Sequence, residues 1–73
     1  MHEHRDDDLS KLEVGLPYLV KHNREHVEDI RRWIHRTREA DRNEIADELQ
    51  KVLDLSERIS GHLENAVSRL NSD

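Results

Sequence analysis

Apolar side chains recur every three or four residues through two long stretches of this chain, with a short polar break between them. In the first stretch they are Leu9, Leu12, Leu16, Leu19, Val20, Val27, Ile30 and Ile34; in the second, Ile45, Leu49, Val52, Leu53, Ile59, Leu63, Val67 and Leu70. That spacing keeps apolar groups on one stripe of an α-helix, whereas a strand would scatter them over both faces. The break, Glu39-Ala40-Asp41-Arg42-Asn43, has no apolar anchor and offers Asp41 and Asn43 as capping residues. Helices joined by so short a connector pack as antiparallel neighbours. The predicted fold is therefore all-α, an antiparallel two-helix hairpin.

Punctuation residues set the expected boundaries. Gly15 and Pro17 interrupt the first period, and proline is costly inside a helix but tolerated in its first turn. The expectation is a short helical turn over 9–14, a long helix from about Leu16 to Arg38, and a second helix from about Glu44 to Leu70. Residues 1–8, rich in acids and lacking an apolar period, read as a polar flexible segment ahead of one domain over 9–73. Gly61 falls inside the second helix, where it costs up to ~1 kcal/mol relative to Ala.

Two helices in a chain of 73 residues with 33% hydrophobic and 3% aromatic content make a thin core. The apolar residues also spread wider than one contact stripe. With about 100° between successive residues, the first helix turns Leu16, Asn23, Val27 and Ile34 toward its partner. The second helix turns Leu49, Ser56, Leu63 and Val67. Leu19, His26, Ile30 and Trp33 lie to one side of the first stripe, with His22 further round; Leu55, Ile59, His62 and Ala66 lie to one side of the second. Both flanks rotate in the same sense along their own helix, so in an antiparallel pair they share one side. Two helices cannot bury two faces. The expectation is a homodimer forming a four-helix bundle, with Leu19, Ile30, Trp33, Leu55, Ile59 and Ala66 at the interface; a docking face for another protein is the alternative.

The chain carries 40% charged residues and a net charge of −5, which disfavours a nucleic-acid binder needing a basic face. Cysteine is absent, so disulfides and thiolate metal sites are excluded. No apolar run approaches the roughly 18 residues of a membrane span, and the N-terminal residues do not resemble a leader. A soluble cytoplasmic protein is the expectation.

Histidine supplies the only candidate chemistry. His22 and His26 sit one helical turn apart, and counting outward from the connector brings His62 to nearly the same height. Three imidazoles with Glu25 as an oxygen ligand would suit Ni, Co or Zn rather than Mg or Ca. The competing reading makes them edge residues of the interface, with no cofactor at all. His2 and His4 offer at most a weak Cu or Ni site, and His35 reads as plain surface. No His-Glu-x-x-His pattern, paired Glu-x-x-His or glycine-rich phosphate loop is present, and no serine has an evident base. The chain is expected not to be an enzyme.

His22-Asn23-Arg24-Glu25-His26 followed by Trp33 resembles the first helix of small helical proteins and domains of unknown function in archaea and anaerobic bacteria. Those share the form His-Asn-x-Glu-His, then Trp seven residues on, then a short linker and a second helix rich in Ala, Leu and Glu. The resemblance spans roughly 16–70. It implies that Asn23 and Glu25 act as a unit with the two histidines, and it adds nothing for His62. Asn23 itself falls in the seam, where a buried amide must find partners and can fix register.

Overall fold

The structure, a computed structural model, describes the backbone of residues 2–72 and the side chains of 8–72. Helix α1 spans His2–Glu39 and helix α2 spans Asn43–Ser72, packed along each other as an antiparallel hairpin. The fold class matches the periodicity. The side chains of His2 and His4 lie outside the described residues.

The expected break at Gly15–Pro17 is absent: α1 passes through both, with Pro17 inside it. Leu9, Leu12, Leu16, Leu19 and Val20 keep their three-to-four spacing across the proline. Continued helix therefore holds Leu16 and Val20 against α2, and this packing offsets a penalty of about 3 kcal/mol for an interior proline. The connector also closes differently. Asp41 adopts φ 58°, its amide donates to the Arg38 carbonyl at 3.0 Å, and the Arg42 amide donates to Thr37 at 2.8 Å. This pair of bonds is a Schellman cap, which ends α1 through a left-handed residue. Asp41 is thus the turning residue of α1 rather than an N-cap, and Asn43 is already the first residue of α2.

The seam is narrow. Val20 and Val27 of α1 and Ala46 and Leu53 of α2 are buried, and only Ala46 is wholly so. Ala46 and Leu53 displace the expected centre of the α2 stripe, because a small residue beside the turn lets the helices approach closely. Asn23 enters the seam as expected: its Nδ2 donates to the Ser56 carbonyl at 3.0 Å and to the Ser60 hydroxyl. Those bonds fix the register, since a shift of one turn would strand the amide.

The molecule measures 58 × 16 × 15 Å with a radius of gyration of 16.9 Å, against about 11 Å for a compact domain of this length. It is a rod two helices wide and one layer thick.

Candidate interaction face and histidine pair

The two long sides of the rod differ. On one, arginines of α1 reach across to acids of α2: Arg24 to Glu64, Arg31 to Glu57 at 3.6 Å, and Arg38 to Asp47 at 3.3 Å. Half-exposed pairs of this kind contribute about 0–1 kcal/mol each. Their larger effect is to mark this side as solvent-facing. Sequence reasoning missed them, although the seven-residue recurrence of Arg24, Arg31 and Arg38, echoed by Glu57 and Glu64, was a readable signal. A groove near the open end of this side is lined by Pro17, Val20, Lys21, Arg24, Glu64 and Val67, and it contains no histidine.

The opposite side carries the uncovered apolar residues. Leu19 is 45% exposed, Trp33 55%, Val52 44%, Leu55 55% and Ile59 50%. Leu55 apart, they fall in two rows at seven-residue spacing: Leu12, Leu19, His26 and Trp33 on α1, and Ile45, Val52, Ile59 and Ala66 on α2. His26 is the one polar member of either row. Ile30 and Ala66, both expected at the interface, are half-buried at the boundary between seam and face. The Arg36 guanidinium lies 5.2 Å from the Trp33 ring centroid, a cation–π contact covering part of the indole.

His22 and His26 do come together. Their Nε2 atoms are 3.0 Å apart, with the rings edge to face at 80° and centroids 4.4 Å apart. Tyr18 stacks on His22 one turn earlier at 5.6 Å, a neighbour readable from its four-residue spacing. Two imidazoles bound tetrahedrally at 2.0–2.1 Å to one ion hold their nitrogens about 3.3 Å apart. At 3.0 Å the two nitrogens are within hydrogen-bond distance, one ring donating its N–H to the other, and their separation is also close to that of a chelating pair. Both rings are exposed to solvent.

The wider cluster does not assemble. Among the described residues, no three His, Cys, Asp or Glu side chains are grouped to hold one ion. His62 lies nine residues, about 2.5 turns, beyond the buried Leu53, which directs it to the outer edge of α2. His22 occupies the outer edge of α1, so the two diverge although they stand at similar heights. Glu25 precedes His26 and departs from it by about 100° around the helix. His35 is exposed beside Glu39, as expected of surface.

Fold and faces define a two-helix hairpin with one ion-paired side and one uncovered apolar side that carries a histidine pair. The model of the family described as "Domain of unknown function (DUF8180)" matches residues 12–70, and the chain belongs to that family. The match includes Gly15 and Pro17, which therefore lie within the family's shared region. Comparison with curated proteins and with solved structures finds no match.

Proposed function

We propose that this chain is a non-catalytic self-association module, a hairpin that dimerises through its uncovered side into a four-helix bundle. The observation that carries this reading is the apolar face of Leu19, Trp33, Val52, Leu55 and Ile59 opposite the ion-paired side. Its scale fits. The exposed surface is 6156 Å², whereas a compact protein of 8.7 kDa exposes about 4,700 Å². The excess, about 1,400 Å² spread over the whole rod, leaves room for the roughly 800 Å² that each partner contributes to a standard interface. Among the described residues no helix is long and apolar enough to cross a membrane, so a lipid core is not the cover. The cytoplasm remains the proposed compartment on the charge-rich, cysteine-free sequence alone. Light scattering on the metal-free protein tests the reading: a particle of twice 8.7 kDa is expected, and a monomer at every concentration would sink it.

A second reading is favoured by the 3.0 Å approach of the His22 and His26 nitrogens: binding of a divalent transition ion, Ni, Co or Zn, with imidazole ligands. A chelator competition titration reads it out, with protein lacking both side chains as the blank.

A further inference from the structure

His22 and His62 occupy matching places on the two helices. His22 follows Leu19 by three residues and precedes His26 by four; His62 follows Ile59 by three and precedes Ala66 by four. Each imidazole therefore sits just outside its own apolar row, at the outer edge of the uncovered face. They also stand level. The bond from Asn23 to Ser60 sets the register. His22 is one residue before Asn23 and His62 two after Ser60, so their heights differ by one residue rise, about 1.5 Å. Within one chain the width of the rod keeps them apart.

A two-fold axis laid lengthwise between two such faces closes that gap. It turns one hairpin over without shifting it along the rod. Helix α1 of one copy then lies on α2 of the other, and residues level within a chain meet between chains. Leu19 faces Ala66 and Trp33 faces Val52, the larger side chain opposite the smaller in both cases. At the outer edge Arg36 meets Glu48, opposite charges three residues beyond Trp33 and Ile45, and His22 meets His62. His26 faces Ile59 with its Nε2 already bonded to His22. An axis across the rod instead lays α1 on α1, which leaves both outer-edge encounters unmade.

We infer that a second copy of this chain covers the face about this lengthwise axis, and that His62 of the second copy completes, with His22 and His26, a three-imidazole site for a divalent transition ion, twice per dimer. The inference rests on the self-association proposed above. Among the described residues of one chain no three ligand groups gather, so each chain offers the His22–His26 pair as one part of the site and His62 as the other. Three imidazoles and one water make a tetrahedral set suited to Zn(II) or Co(II). Tyr18, stacked on His22, orients that ring.

Cobalt(II) is the probe, added to the full chain carrying His2→Gln and His4→Gln so that terminal histidines contribute nothing. Absorption and sedimentation are read together. The expected endpoint is two Co(II) per dimer, with tetrahedral visible bands and a tighter dimer. His62→Ala should weaken cobalt binding about tenfold or more while the metal-free dimer persists. The decisive arm refolds two chains together, one carrying His62→Ala and the other His22→Ala with His26→Ala. Neither alone can build a three-imidazole site. Their heterodimer sets one intact histidine pair against one intact His62, so the tetrahedral bands should return on mixing, with one ion per heterodimer. Helicity measured on the same samples separates loss of pairing from loss of fold. A dimer that takes up no cobalt, parent affinity in His62→Ala, or mixed chains that dimerise without the bands overturns the shared site and leaves self-association standing. A monomer with or without cobalt removes both readings.

Discussion

Asn23 is the residue on which the register turns. Its amide spends both protons on α2, one on the Ser56 carbonyl and one on the Ser60 hydroxyl. Removing it leaves those acceptors facing an apolar gap, so Asn23→Ala should lower unfolding free energy by about 1–2 kcal/mol, read from urea denaturation. Asp41 offers the opposite opportunity. A non-glycine residue in the left-handed region carries strain of about 1–2 kcal/mol that glycine does not, eased for Asp by its short polar side chain. Asp41→Gly should therefore stabilise the hairpin by about 0.5–1 kcal/mol, seen as a raised melting temperature. A fall in that temperature would mean that the Asp41 side chain contributes more to the connector than its backbone strain costs.

For the helices, period proved a better guide than propensity. Both stripes were legible because burial enforces three-to-four spacing, and the stripes alone set the helix pairing and its antiparallel sense. The break at Pro17 was misjudged because proline reports a local cost, while Leu16 and Val20 report a tertiary gain that outweighs it. The centre of the α2 seam was misjudged for a related reason: size marks hydrophobic content, yet the closest approach falls at the small Ala46. That error of a fraction of a turn misdirected His62. Height along a helix follows from counting residues, but direction needs the seam located within a few tens of degrees. Gly61 tests the helix interior cleanly. A Cβ built there meets nothing within 4 Å, so Gly61→Ala should gain up to about 1 kcal/mol. It lies outside the proposed interface, so the dimer mass should not change; a weakened dimer would move the interface onto the ion-paired side.

For the whole molecule, one layer of two helices leaves a face of large apolar side chains uncovered. Trp33 is the sharpest probe of what covers it. In an isolated hairpin a half-exposed indole contributes little beyond its contact with Arg36. At the centre of an interface, truncation of such an aromatic costs about 2 kcal/mol or more. Trp33→Ala should therefore raise the dimer dissociation constant by at least about thirtyfold, since each 1.4 kcal/mol is tenfold, with helicity preserved under saturating concentration. Equal stability of mutant and parent at all concentrations would place Trp33 outside any interface. The sequence announced this face through the shared sense of its two flanks, but the ion pairs that make the other side polar emerged only once the helices were set in register.

The Schellman cap makes the rod's two ends unequal. At the connector, three consecutive amides, those of Ala40, Asp41 and Arg42, bond back into α1, and the wholly buried Ala46 sits one turn on. At the far end, Leu9, Leu12 and Val14 lie uncovered, and Val14 is 75% exposed. Opening the pair from the connector breaks the best-packed contacts first; opening from the far end sacrifices the fewest. The hairpin should thus unzip from one end, like a clasp with a single hinge. Amide protons from Ala46 to Leu53 should exchange slowest with solvent deuterium and those from Leu9 to Val14 fastest, with protection rising steadily toward the connector. A flat profile would mean that the rod opens as one cooperative unit.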